Sequence, residues 1–193
     1  MAITQDFEDD IKNSVKCILD GGVLLYPTDT IWGLGCNAMN ENAVDKIFNI
    51  KNRPAQKSMI VLLAEAKDIL QYIAAPHPDI ISILESFDRP TTVIYDHPLG
   101  FPENVVATDD TLAIRVTNDP FCKALIKRMK LPLISTSANL SGEPSPKFFS
   151  EIDTRIKDNV DYVVRYRQDD TTNVPPSRIL KINDEGDIHI IRE

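Results

Sequence analysis

The sequence predicts an α/β fold, one domain built on a mixed, twisted sheet. Helical and strand patterns alternate early in the chain, and strand patterns dominate late. Between them, Met59 to Leu63 is continuously apolar, as a strand buried on both faces is. With 193 residues, a single domain spanning 1–193 has enough chain to bury a sizeable core.

Each element has its own signal. Phe7, Ile11, Val15 and Ile18 recur at helical spacing behind an acidic first turn, and Gly21-Gly22 ends that helix. Val23 to Tyr26 is a strand. Pro27 cannot donate to a sheet ladder, so the strand stops there. Gly33 and Gly35 let backbone pass close to something bulky. Ala43, Val44, Ile47 and Phe48 mark a second helix that delivers Lys51 at its C-terminal end. Helical stretches near Lys67 to Ile73 and Asp79 to Ser86 follow the Met59–Leu63 strand. Thr92 to Tyr95 and Leu112 to Val116 are strands. Asp119-Pro120 is a cap and first turn for a helix to about Met129. Leu133 to Ser135 is a short strand, Phe148 to Ile156 a weak helix, and Thr171 to Pro176 the most loop-like stretch. Asp161–Val164, Arg178–Ile182 and Ile188–Ile191 are the late strands. No internal repeat, low-complexity segment or linker is present.

Composition narrows the function classes. No run is apolar and long enough to span a membrane, and the acidic, polar stretch Met1 to Asp10 is not a signal peptide, so a cytoplasmic location is expected. A net charge of −8 argues against nonspecific RNA binding but not against nucleotide binding, which needs few cations. Cys17, Cys36 and Cys122 are scattered without a Cys-x-x-Cys pair, which disfavours disulfides and zinc, and Cys17 is expected to be buried. His77, His97 and His189 lack metal-ligand spacing. Walker and dinucleotide fingerprints are absent, so an ATP site must be built from dispersed cations and hydroxyls.

Three blocks supply those groups. The first is Tyr26-Pro27-Thr28-Asp29-Thr30-Ile31-Trp32-Gly33-Leu34-Gly35-Cys36; alone, its Pro-Thr-Asp-Thr is a hydroxyl-bonded turn. The second places Lys51, Arg53 and Lys57 within seven residues. Alone, it is a solvated helix end. The third, Ser135 to Gly142 followed by Pro144-Ser145-Pro146, also continues an apolar strand. Two strand ends bearing hydroxyls and amides, with a basic segment, suit an anionic ligand.

Together, in this order and spacing, the blocks resemble the YrdC-like family, whose members make threonylcarbamoyl-AMP for tRNA modification. The signature Lys-x-Arg reads Lys51-Asn52-Arg53 and Ser-x-Asn reads Ser137-Ala138-Asn139. The resemblance runs from about Gly21 to Arg192. It implies an open sheet with flanking helices curved around a cleft. It also implies a nucleotidyltransferase that turns L-threonine, bicarbonate and ATP, with Mg²⁺, into threonylcarbamoyl-AMP and pyrophosphate. The product would pass to a tRNA threonylcarbamoyl transferase complex.

By that resemblance, Lys51, Arg53, Ser137 and Asn139 form the catalytic tetrad. Lys51 and Arg53, both expected to be exposed in the cleft, stabilise charge, and Lys57 adds to the phosphate clamp. Ser137 and Asn139 offer groups to ribose or phosphate; Thr111, Ser145 and Arg192 complete the nucleotide site. Thr30, Ser135 and Ser177 bind threonine, and Arg115 takes its carboxylate. Read from the residues alone, Arg115 could equally form a salt bridge to one of the chain's acids. Asp29 is the candidate carboxylate for the metal, whose ligands the sequence leaves unknown.

The chain departs from the family pattern at Leu62, where some members have His, and at Asp88-Arg89-Pro90, where many have Pro-Gly-Pro. It departs again at Thr117, usually Pro, and at Arg178, usually Thr. These changes lie toward the amino-acid side. Two rival readings follow: a paralogue that adenylates another carboxylate, and a noncatalytic RNA-binding module associated with translation.

Overall fold

A computed structural model describes residues 7–53, 59–182 and 186–193. Among the described residues, nine strands form one sheet in the order β7-β1-β2-β6-β3-β5-β4-β8-β9. They are β1 Leu24–Tyr26, β2 Gly33–Gly35, β3 Ile60–Leu63, β4 Thr91–Asp96, β5 Thr111–Val116, β6 Leu133–Ser137, β7 Tyr162–Val163, β8 Arg178–Ile182 and β9 Ile188–Arg192. The sheet is mixed, as expected: β1–β7, β3–β5 and β4–β8 pair in parallel and the rest antiparallel.

The helices are α1 Glu8–Leu19, α2 Glu41–Lys51, α3 Ile80–Glu85, α4 Pro120–Met129 and α5 Thr154–Lys157. Asn40 caps α2 by accepting from the Ala43 amide, and Asp119 caps α4 by accepting from the Cys122 amide at 2.8 Å, with Pro120 at N1. Both helices end on a left-handed residue, Asn52 and Lys130. Asn52 turns the chain out of α2 immediately before the cavity-lining Arg53.

Successive strand residues face opposite ways, and each face has its own core. Leu25, Leu34, Val61, Leu63, Val93, Ile114 and Ile134 pack with α2, α3 and α5. Leu24, Tyr26, Leu62 and Leu133 pack with α1 and α4 through Phe7, Ile11, Phe121 and Leu125. On β6 the second face changes character along the strand, from Leu133 under the helices to Ser135 and Ser137.

Two expectations need correction, and a third gains its partner. The helix expected near Lys67 to Ile73 is a 3₁₀ turn, Ala66–Gln71, with a Glu65/Asp68 capping box. The weak helix Phe148 to Ile156 is split: a 3₁₀ turn, Phe149–Glu151, gives way to extended Ile152, and Asp153 starts α5 by accepting from the Arg155 amide at 2.7 Å. The bulky neighbour of Gly33 and Gly35 is the sheet itself, because these residues form strand β2. A Cβ on Gly35 would lie 2.5 Å from the Tyr26 ring and 2.6 Å from the Ile134 carbonyl oxygen. The Tyr26 hydroxyl crosses β2 to donate to that same carbonyl at 3.0 Å.

Candidate active site

A cavity opens on the α1/α4 face where β6 turns polar. Its walls carry eight of the residues expected from sequence: Thr30, Arg53, Arg115, Ser135, Ser137, Ser145, Ser177 and Arg192. Three are arginines, and no acidic residue among the described residues lines it, although the protein carries a net charge of −8.

Sheet register sets the layout. Arg115 of β5 pairs across Leu62 of β3 with the Leu133 rung of β6. Ser135 lies two residues further, opposite Ile60, and Ser137 opposite Gly33 of β2. Four residues of strand separate the Arg115 rung from Ser137, a span of about 13 Å.

At the Arg115 end the arginine is 3% exposed and its Nη2 lies 3.2 Å from Asp29 Oδ1. The salt bridge left open by the sequence is therefore made, with Asp29 as partner. Asp29 Oδ2 in turn accepts from the Thr117 hydroxyl at 3.2 Å and the Asn118 amide at 3.3 Å. Thr117 Oγ1 accepts from the Asp119 amide at 3.1 Å, tying this carboxylate to the start of α4. The Pro-Thr-Asp-Thr turn is hydroxyl-bonded as expected: Thr28 Oγ1 donates to the Ile31 carbonyl at 2.8 Å and accepts from the Thr30 amide at 3.0 Å. That turn points Thr30 into the cavity. Ser177 is buried with its hydroxyl 2.8 Å from that of Thr92, and Arg192 Nη2 donates to the Ser177 carbonyl at 2.6 Å.

At the Ser137 end Arg53 is half-buried, and its Nη1 donates to the Thr136 hydroxyl at 3.3 Å. Burial lowers its pKa. Lys51 corrects an expectation: it is 1% exposed, not open to a cleft. Its Nζ donates to the carbonyls of Ser137 and, at 2.7 Å, Asn139, and it lies 3.4 Å from Asn139 Oδ1. Burial first, and the nearby Arg53 charge second, lower the Lys51 pKa from 10.5 to about 8. The Asn139 amide donates to the carbonyls of Leu140 at 3.0 Å and Glu143 at 2.6 Å. Lys51 and Asn139 thus brace the loop after β6, while Ser137 and Arg53 face the cavity.

The remaining expected residues lie elsewhere. Thr111 shares a face of β5 with Arg115 but lies four residues, or about 13 Å, along the strand, where its hydroxyl donates to Asp109 at 2.7 Å. Lys57 lies outside the described residues. Among the described residues, no three His, Cys, Asp or Glu side chains gather into a metal site. Cys36 is fully buried with its thiol pKa pushed far up, so it carries no reactive thiolate. Cys17, expected to be buried, is half-exposed, its thiol pKa raised to about 11 mainly by desolvation.

Sequence reasoning did not place Ile31, Trp32, Met59, Ile60, Thr136 and Pro176 on the walls. The aromatic position in the Thr-x-Thr-x-aromatic block was the available signal for Trp32. Of the four departures, Leu62 is core, Arg178 leans over the Phe87 ring and donates to Thr91, and Asp88 is exposed. Thr117 alone reaches the site, through Asp29.

Known proteins share this chain's sequence pattern and fold. The Sua5/YciO/YrdC family model, described as "Telomere recombination", matches residues 16–193. A threonylcarbamoyl-AMP synthase of Xanthomonas campestris is 35% identical over 159 residues, covering 80% of this chain and 84% of that protein. One from Pseudoalteromonas translucida is 32% identical over 157 residues, covering 80% and 84%. Among solved structures, the H234A/Y235A form of P. abyssi Sua5 superposes with a TM-score of 0.79 at 26% identity, over 92% of this chain and 54% of that one. This chain therefore spans about half of the P. abyssi protein. E. coli YciO superposes with a TM-score of 0.80 at 23% identity, over 96% and 89%. The chain belongs to the Sua5/YciO/YrdC family.

Proposed function

We propose that this protein is an L-threonylcarbamoyl-AMP synthase: a nucleotidyltransferase joining L-threonine, bicarbonate and ATP for tRNA threonylcarbamoyladenosine formation. The observation that carries the reading is the joining of two unlike sets of groups in one cavity. Arg115, Thr30, Ser135 and Ser177 suit a small hydroxylated amino acid; Ser137, Arg53, Arg192 and Ser145 suit phosphates and ribose. Curated relatives bearing this activity's name, matched over four-fifths of the chain, support it.

The chemistry needs no protein nucleophile. The threonine amine attacks the carbon of bicarbonate, water leaves, and a carbamate forms. A carbamate oxygen then bonds to the α-phosphorus of ATP. The bond from that phosphorus to the bridging oxygen breaks, and pyrophosphate departs with the electron pair. Two anions must be held together, so positioning and fixed positive charge are the levers. Arg115 holds the threonine carboxylate, Thr30 and Ser135 its hydroxyl and amine, and Arg53 the phosphate oxygens, with Lys57 adding to that clamp. Thr111 is reached only by a ligand extending the length of β5, as a nucleotide would. The described residues offer no carboxylate cluster and Asp29 is paired with Arg115, so Mg²⁺ would be held by the ATP phosphates and would screen their charge. The product is a reactive anhydride that passes to a tRNA threonylcarbamoyl transferase complex, an exchange suited to the cytoplasm. None of the described helices is long and apolar enough to cross a membrane.

The test is pyrophosphate release with each component omitted in turn. Release should need threonine, bicarbonate and ATP together. Serine should be the nearest competitor, because one methyl discriminates by only about 1–3 kcal/mol. Release without bicarbonate would refute the carbamate step; release with another carboxylate but not threonine would make the protein a paralogue of different substrate.

A further inference from the structure

We infer that Thr28 is a positioning residue. It fixes the Thr30 hydroxyl as a hydrogen-bond acceptor, so this part of the cavity takes its ligand by a donor on the α-carbon. The inference rests on the proposed reading of the cavity as a joint amino-acid and nucleotide site. Of the two groups that reading gives to Thr30 and Ser135, it assigns the α-amine to Thr30.

A hydroxyl has one proton to donate and two lone pairs to accept with. Thr28 Oγ1 has three neighbours that fill this valence. The Ile31 carbonyl oxygen stands 2.8 Å away. A carbonyl brings no proton, so the Thr28 proton lies in that contact. The Thr30 amide donates to one lone pair at 3.0 Å. The Thr30 hydroxyl is also 3.0 Å away. Because the Thr28 proton is already committed, the proton in this last contact comes from Thr30. Thr30 thus gives its one donor to a partner behind the wall. It lines the cavity, and what its oxygen offers there is lone pairs.

This polarity is held in place. Thr28 is buried behind the wall that Thr30 lines. Its methyl lies toward Gly33, where a Cβ would stand 3.7 Å from Thr28 Cγ2 and 3.4 Å from Ser135 Oγ. Its carbonyl accepts from Arg167 Nη2 at 3.3 Å, and Asp119 holds that arginine at 2.6 Å. Turning the Thr30 hydroxyl round to donate to a ligand would leave two oxygens 3.0 Å apart with no proton between them.

An acceptor of fixed polarity sorts ligand groups. An ammonium or amine has N–H donors to give, whereas a carboxylate or keto oxygen has none. Arg115 is the reverse, a guanidinium with donors only. The pair fits a carboxylate with an adjacent N–H and disfavours the same molecule turned end for end. A ligand hydroxyl can adopt either role, so the amine is the threonine group that a fixed acceptor distinguishes. The carbamate formed on that nitrogen keeps one N–H, so the contact survives the first step.

L-Lactate and pyruvate test this at equal charge. They differ at the α-carbon, where lactate has a hydroxyl that can donate and pyruvate a keto oxygen that cannot. Their dissociation constants are measured by calorimetry in the wild type and in Thr28→Val. The wild type should bind L-lactate about tenfold more tightly than pyruvate. In Thr28→Val the Thr30 proton is freed to donate, and the two acids should bind within about twofold of each other. Thr28→Ser, which keeps the hydroxyl, should restore the preference. A residue that merely held the turn would weaken both acids by one factor and leave their ratio unchanged. An unchanged ratio in Thr28→Val overturns the inference, and so does a wild type with no preference for lactate. If Thr28→Val does not fold, Thr30→Val removes the acceptor and leaves both backbone bonds of Thr28 in place. Its ratio should likewise fall to about one, and a retained preference overturns the inference. Neither acid needs ATP or turnover to bind. A wild type that prefers lactate yet releases no pyrophosphate with threonine therefore refutes the functional reading instead.

Discussion

Replacing Lys51 with Met removes an ammonium at nearly constant side-chain volume and asks whether this residue braces a loop or touches substrate. In the wild type, Nζ donates to the Ser137 and Asn139 carbonyls. A buried carbonyl left without a donor costs about 1–3 kcal/mol, so two cost about 2–6 kcal/mol. The opposing effect is the relief of burying a charge. The Lys51 pKa falls from 10.5 to about 8, which at about 1.4 kcal/mol per tenfold change is roughly 3 kcal/mol. At the middle of these ranges the variant should therefore lose about 1 kcal/mol net, or about 2–4 °C in melting temperature for a chain of this size. Ser137 should shift with the loosened loop. A misplacement of about 1 Å in a positioning site costs on the order of a hundredfold in rate. Thermal denaturation and pyrophosphate release together decide the matter. Arg53→Ala supplies the contrast, with a comparable loss of turnover but little loss of stability. An unchanged melting temperature in Lys51→Met, with turnover abolished, would refute the bracing argument and put the ammonium on the substrate. Full turnover in Lys51→Met would remove the residue from the site altogether.

Four further outcomes are expected. The value of kcat/KM should fall above about pH 8 as Lys51 loses its proton in the free protein. Between about pH 8 and 10.5 the native state has released that proton while the unfolded chain keeps it. Wild-type stability relative to Lys51→Met should therefore rise with pH across that window and be flat below it; a flat difference throughout would disprove the assignment. Gly35→Ala should destabilise by about 3 kcal/mol, because its Cβ meets the Tyr26 ring and a backbone carbonyl that cannot move aside; melting within about 2 °C of wild type would contradict this. Binding to bulk RNA should be weak and vanish by about 150 mM salt, and a tight complex surviving there would favour an RNA-binding module.

The local elements were largely legible because they depend on neighbours in sequence. Apolar runs marked β3, β5 and β6, and Asp119-Pro120 marked the start of α4. Strand β2 was not legible. Gly-Leu-Gly is a weak strand signal, and Gly35 is demanded by Tyr26 crossing from the adjacent strand. The cavity's membership was legible through the resemblance, whereas its internal roles were not. Nothing around Lys51 in sequence foretells that Ser137 and Asn139 bring carbonyls to its ammonium from 86 and 88 residues away. The partner of Arg115 was equally hidden, since Asp29 is one of 29 acids until register sets it at 3.2 Å. The departures at Leu62 and Arg178 were read as lying toward the amino acid. Side-chain alternation sends one to the core and the other to Phe87.

The parallel pairing of β4 with β8 has a consequence for how the molecule reaches its working form. Thr92 meets Ile179 only after some 87 residues of intervening chain have been arranged, and β9 can dock only on β8 once that is done. Pairings of such long sequence separation are the slow steps of folding, because loop closure is unfavourable before contacts reward it. Ser177 and Arg192 enter the cavity through these two strands, whereas Thr30, Arg53 and Ser137 sit on β1-β2-β6 and α2. The binding cleft is thus closed by the last segments to settle. During refolding, recovery of ligand binding should lag behind recovery of helical circular dichroism, and activity is the strictest measure that the chain has finished folding.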